Sequence, residues 1–154
     1  PQELLMKFIQ GKSGAEFKMV STESGAEILQ NLLGGHIDAG FNAGPHIPYL
    51  ETGELKMLAS GNEGRHSYAP DTKTVVEQGY KIFVDPYWYL AAPAGLPSDA
   101  KEALNKAFNN AIQSENVRNV INNTIRTDPS NLGPEGTKEM LVGGMSNVAS
   151  LFGK

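Results

Sequence analysis

Up to Pro97, glycine and proline cut this chain into short pieces whose hydrophobic period switches between 3.6 and 2; from Ser98 the chain reads as nearly all helix, with "IRTDPSNLG" as a turn or short strand. "PQELLMKFIQ" opens as a helix, with Pro1 suited to a first helical position and Leu4, Leu5, Phe8 and Ile9 at helical spacing. After "GKSG", the segment "EFKMVST" alternates Phe17, Met19 and Ser21 against Lys18 and Val20, which predicts a strand. A turn at Glu23–Gly25 leads into a helix carrying Ile28, Leu29, Leu32 and Leu33, stopped by Gly34 and Gly35. "HIDAGF" reads as a second strand, "NAGPHIPYLETG" as a loop and short helix, and "ELKMLAS" as a third strand. A polar loop, "GNEGRHSYAPD", precedes a short helix "TKTVVEQG" and a long extended stretch "YKIFVDPYWYLAAP". Alternating strands and helices predict an α/β fold, a parallel or mixed sheet with helices packed on it.

The tail has a different character. Ser98 and Asp99 are expected to cap "AKEALNKAFNNAIQS", in which Ala103, Leu104, Ala107, Phe108, Ala111 and Ile112 form one apolar stripe. "ENVRNVINNT" and a glycine-interrupted "PEGTKEMLVGGMSNVASLF" give two more helices. These helices have no sheet of their own to cover, and the change of composition across Pro86–Pro97 marks a boundary between lobes.

Composition removes several classes of function. The 154 residues carry a net charge of -4, and their 13 Lys and Arg are scattered, so no basic stripe suits nucleic acid. No apolar run approaches the roughly 20 residues that span a bilayer. The absence of Cys excludes disulfides, thiolate catalysis and Cys-ligated zinc. His36, His46 and His66 fit no standard ligand spacing, and they read as surface or turn histidines rather than a metal site. There is no G-x-S-x-G elbow, and "GGHIDAG" lacks the Lys-Ser/Thr ending of a phosphate loop. Glu23 and Glu27, four apart at a helix start, read as solvated or capping rather than catalytic. No catalytic residue, metal or cofactor is expected.

Two loops suit binding better. Ser21–Gly25 and Asn42–Gly44 each leave a predicted strand and approach a helix, where free N–H groups suit a carboxylate and small residues allow close approach. An ordinary tight turn explains the same pattern equally well. Tyr87, Trp88 and Tyr89 form the one aromatic triplet; they can wall a cleft at the lobe boundary, or simply pack in a core.

Taken together, "SGAEILQNLLGGHIDAGF", "PHIPYLETGELKMLA", "RHSYAPDTKTVVEQGY" and "LAAPAGLP" before a long helix resemble the substrate-binding proteins of tripartite tricarboxylate transporters, the Bug or TctC-like family. The resemblance implies a type II periplasmic-binding-protein-like fold in which two α/β lobes close on a small carboxylate. It further implies that the chain is truncated at its N-terminus. Residues 1–86 would be most of the second, ligand-binding lobe, 87–97 the crossover, and 98–154 the C-terminal helices that belong to the first lobe. Ligand contacts would come from Thr22, Ser24, Gly25, Asn42, Ala43, Gly44, Tyr87 and Trp88. Relatives often carry Trp-Arg-Gly or Trp-Phe-Gly where this chain has Tyr87-Trp88-Tyr89, and Tyr-Lys-Gly-Gly where it has Thr22-Glu23-Ser24-Gly25.

The function this implies is that of a non-enzymatic extracytoplasmic receptor in the periplasm. Its ligand would be a di- or tricarboxylate or an aromatic carboxylate, delivered to the membrane permease subunits of the transporter. A competing reading is the effector-sensing domain of a transcriptional regulator with a similar two-lobe fold. A third is an enzyme on a related fold, for which no catalytic cluster is found. A chain lacking its partner lobe is also expected to expose apolar surface and to self-associate or take a complementary chain.

Overall fold

The computed structural model describes residues 2–151. Six helices follow one another: α1 (Gln2–Ser13), α2 (Gly25–Leu33), α3 (Ile47–Glu51), α4 (Ser98–Gln113), α5 (Glu115–Ile125) and α6 (Gly133–Leu151). Pro1, expected at a first helical position, lies outside the described residues. The chain divides into two compact units. One holds residues 2–85 and the end of α6 from Asn147; the other is Pro86–Ser146.

The predicted α/β class, and with it the sheet of a type II periplasmic-binding-protein-like second lobe, is overturned. Among the described residues no strand ladder forms. The segments expected as strands run extended or irregular, and they are joined only by one isolated parallel bridge, Ser60 to Thr74. In that bridge Ser60 N–H donates to the Lys73 carbonyl at 3.0 Å and Val75 N–H donates to the Ser60 carbonyl at 2.9 Å. Val84 N–H reaches the Gly61 carbonyl at 2.8 Å beside it. The reason is physical. Alternation marks a segment that fits a pleated, half-buried surface, but a strand's hydrogen bonds come from its neighbours, and alternation does not supply a neighbour in register. In the first predicted strand Phe17, Met19 and Val20 are all exposed.

Helix boundaries follow local chemistry. Ser24 has extended backbone and its Oγ accepts the Glu27 N–H at 3.2 Å, while Glu27 Oε2 accepts the Glu23 N–H at 2.8 Å. This is a capping box displaced by one residue. Gly34 and Gly35 close α2, with Gly35 at φ 68° and the His36 N–H donating to the Asn31 carbonyl. Pro97, not Ser98, is the N-cap of α4, so the expected side-chain cap there is absent. α5 begins at Ser114, whose Oγ accepts from Val117 N–H, and ends on Arg126 in the left-handed region at φ 53°. α4 and α5 pack on each other, yet Leu104 and Phe108 of the predicted stripe stay exposed.

"TKTVVEQG" makes one turn instead of a helix. Thr74 Oγ1 accepts the Glu77 N–H at 3.1 Å and Glu77 Oε2 accepts the Thr74 N–H at 2.8 Å, a reciprocal box of the kind found at helix starts, but the segment stops after this one turn at Gly79, φ 101°. The same carboxylate takes a two-pronged pair from Arg65, with Nε to Oε2 at 2.9 Å and Nη2 to Oε1 at 2.8 Å. Arg65 first, and then the Thr74 N–H, hold the Glu77 carboxyl down at about 2. A depressed carboxyl stabilises the fold above its ordinary 4.5 and loses that contribution as pH falls toward about 2. Both side chains are about two-fifths exposed, so salt weakens the pair. Glu77→Gln is therefore expected to flatten the loss of stability between pH 4.5 and 2.5. Urea midpoints at both pH values check this, and an equal drop in variant and wild type would refute it.

The core is small and lies in the first unit. Leu5 of α1, Val75 and Ile82 are buried together, with Phe8, Ile9, Phe41, Ala59, Tyr80 and Val84 packed around them. Gly40 brings the following turn close to α2: a Cβ there would stand 2.5 Å from Ile28 Cγ2. A side chain there would force the Ile28 side chain or the turn to shift.

Candidate functional site

The α2 N-terminus and the 42–44 turn meet. Asn42 Oδ1 lies 3.5 Å from the position a Cβ on Gly25 would take, so the amide sits over the first residue of α2. The two segments that sequence reasoning singled out separately are thereby neighbours. Ser24 and Gly25 are exposed, Thr22 is half-buried, Ala43 is exposed and Gly44 is buried at φ 113°. The Gly44 carbonyl accepts the Ile47 N–H at 3.0 Å, which ties the turn to the start of α3.

Asn42 is chemically the most telling of these residues. Its Nδ2 and Oδ1 are both buried and have no hydrogen-bond partner among the described residues. A buried amide left so costs about 1–3 kcal/mol, and such a group calls for an account. Beside it, the first N–H groups of α2 lack intrahelical acceptors by construction, apart from the Glu27 N–H that Ser24 takes. The arrangement thus offers a carboxamide donor and acceptor, helix N–H groups and the Ser24 hydroxyl hydrogen. Glu27 holds the Glu23 N–H and so serves the cap.

Tyr87 and Trp88 belong to the other compact unit. Neither they nor Tyr89 are core residues: Tyr87 is 45% exposed, Trp88 67% and Tyr89 53%.

Sequence reasoning missed a second feature of the first unit. His46, read as a surface or turn histidine, is the N-cap of α3 but is only 8% exposed. Its ring meets Tyr68 edge-on with centroids 5.8 Å apart, and Tyr68 stacks on His66 at 4.8 Å. His46 Nε2 lies 3.5 Å from the Tyr68 hydroxyl, while Nδ1 is buried without a partner among the described residues. Burial, and then the neighbouring His66, push the His46 imidazole below its usual value; burial also lowers His66, opposed by Asp85, and raises the Tyr68 phenol. The only sequence hint was that His46 precedes an Ile-Pro helix start; its partners stand some twenty residues away, beyond the reach of any local pattern.

No described helix is long and apolar enough to cross a membrane. No solved structure matches the chain. Two curated relatives do. One is the "UPF0065 protein in gbd 5'region" of Cupriavidus necator, 30% identical over 115 residues, which cover 75% of this chain and 35% of the relative. The other is "Protein BugT" of Bordetella pertussis, 30% identical over 116 residues, which cover 74% of this chain and 36% of the relative. The chain thus spans about a third of the length of these relatives. The family described as "Tripartite tricarboxylate transporter family receptor" matches residues 1–138. It is a family of substrate-binding receptors, not of enzymes, and it supports a periplasmic-binding-protein-like fold without restoring the sheet expected of these residues. With the match running through most of its length, the chain belongs to the tripartite tricarboxylate transporter receptor family.

Proposed function

We propose that this chain carries the ligand-contacting loops of an extracytoplasmic receptor for a small organic acid. The receptor would work in the periplasm and hand the acid to the membrane permease subunits of a tripartite tricarboxylate transporter. The observation that carries this reading is the buried, unpartnered amide of Asn42 over Gly25 at the start of α2. A carboxylate supplies what is missing there. Its oxygens accept from Asn42 Nδ2, from the Ser24 hydroxyl and from the free N–H groups of α2, where an anion gains about 0.3–1 kcal/mol, or up to about 2 when partly buried. A hydroxyl or protonated carboxyl of the same acid satisfies Asn42 Oδ1. Because the amide atoms are covered, the acid reaches them by a shift of the 42–44 turn, with Gly44 absorbing the backbone change. Tyr87 and Trp88 would serve as further ligand contacts in the whole receptor.

The acidic neighbours bear on the choice of acid. Glu23 and Glu27 stand at the same helix end, so a mono- or dicarboxylate fits better than a fully charged tricarboxylate. The test is calorimetry of the folded 154-residue chain. Acetate, succinate, citrate and benzoate are titrated in turn, against wild type and Asn42→Ala. Binding of at least one acid is expected, weakened about 5- to 150-fold by the substitution, the equivalent of losing one buried hydrogen-bonding group. No heat from any of the acids, or an Asn42→Ala variant that binds like wild type, rules the reading out.

A further inference from the structure

The stack His46–Tyr68–His66 lies at the root of the 42–46 turn and is not needed for holding an acid. Its geometry couples side chain to backbone. As N-cap of α3, His46 accepts the Tyr49 and Leu50 N–H groups on its carbonyl at 3.0 and 3.2 Å, while the residue after it, buried Ile47, is bonded back to Gly44. The backbone of His46 is thereby tied to the first turn of α3 and, through the Ile47 N–H to Gly44 carbonyl bond, to the turn that carries Asn42, so a displacement of the residue that carries the ring is passed to both. Tyr68 is itself fixed by the turn in which the Ala69 N–H donates to the His66 carbonyl at 3.0 Å.

We propose that protonation of His46 undocks the Asn42–His46 turn, making this turn an acid-released latch. The docked ring has room for a neutral imidazole only: it is almost wholly buried, one nitrogen faces the Tyr68 hydroxyl, and the other faces no acceptor among the described residues. A second proton would place a charge in that enclosure, where desolvation opposes it. The groups facing the stack oppose it further or act elsewhere. His66, across Tyr68, repels a charged His46; Asp85 acts on His66 and accepts the Glu63 N–H at 3.0 Å; Arg65, next in the chain, is paired with Glu77.

The sign follows from linkage. The released ring takes up protons around its ordinary value of 6.5 and the docked ring does so only lower. Docking is therefore fully favoured above 6.5 and is lost as pH falls through the docked value, the opening equilibrium growing by up to about 25-fold between pH 7 and pH 5. The inference stands on the stack and does not depend on which acid, if any, the turn holds.

Hydrogen exchange of the Ile47 amide, corrected for the intrinsic pH dependence of exchange, reads the opening directly. The His36 amide, which closes the unrelated turn after α2, is the control. In wild type the protection of Ile47 is expected to fall several-fold or more from pH 7 to pH 5 while that of His36 holds. His46→Phe, which keeps an aromatic ring against Tyr68, and His46→Gln are both expected to flatten the Ile47 response. A constant Ile47 protection in wild type, or the same fall in either folded variant, overturns the proposal. Imidazole NMR of wild type provides the check that needs no variant. A His46 midpoint below the ordinary imidazole value of 6.5 and coincident with the Ile47 response supports the latch, and a midpoint at or above 6.5 overturns it. An acid response without heat from any carboxylate leaves the latch standing and removes the receptor reading. Heat without an acid response does the reverse.

Discussion

Leu5→Ala is expected to cost about 2–5 kcal/mol of stability, the range for emptying a leucine-sized volume in a packed core. Leu5 has no exposed surface and joins α1 to Val75 and Ile82; it also lies 3.8 Å from where a Cβ on Gly61 would stand. Few residues share the load, since the buried hydrophobic side chains are Leu5, Ile47, Val75 and Ile82 among the described residues. Against a typical total of about 5–15 kcal/mol, the loss is a large fraction, and it lowers the folded-to-unfolded ratio by a factor of about thirty or more. Urea midpoints of wild type, Leu5→Ala and Leu33→Ala measure it. Leu33 is 41% exposed and should cost far less. A Leu5→Ala midpoint as high as that of Leu33→Ala would mean that the α1 contact does not hold this unit together.

The second large effect has the opposite sign. Asn42→Leu is expected to raise stability by about 1–3 kcal/mol, because it replaces two buried, unpartnered polar atoms with apolar ones of similar shape. The same substitution should weaken carboxylate binding at least as much as Asn42→Ala does, since both remove the donor and the acceptor. A residue that weakens the fold while holding the site is the usual sign of function set against stability. Thermal unfolding and calorimetry on one preparation separate the two results. A fall in midpoint would show that Asn42 is satisfied in solution and would remove the reason for regarding it as a ligand group.

What the sequence discloses here tracks how local the governing physics is. The helices are legible because their signals lie within a turn of where they act: the Ser24 cap with Glu27, the Gly34-Gly35 stop, Pro48 at the start of α3, and Ser114 before α5. The strands are not, because alternation at Phe17–Ser21 or in "ELKMLAS" describes one half of a pair whose other half is set by the rest of the fold. "TKTVVEQG" sits between these cases: its Thr74–Glu77 box is of the kind found at helix starts, but the segment stops after one turn at Gly79. At the candidate site, small residues at Ser24–Gly25 and Asn42–Gly44 mark two turns, but that Asn42 lies over Gly25 is a contact between segments some seventeen residues apart, which no local pattern encodes. The His46–Tyr68–His66 stack depends on a chain reversal of about twenty residues, so no period or motif announces it.

The run through Tyr87, Trp88, Tyr89 and Leu90, which has no regular secondary structure, has a practical consequence. A protease needs several consecutive residues laid out straight with their side chains accessible, and this run presents three aromatic residues and a leucine with roughly half or more of each exposed. Brief chymotrypsin treatment should therefore cut first between residues 87 and 90, next to the boundary between the two compact units. The larger amino-terminal piece would carry α1, α2 and α3, while the end of α6 that belongs to the same compact unit would stay on the other piece. Mass spectrometry that instead finds the first cut inside α4 or α5 would place the weak point in the helices.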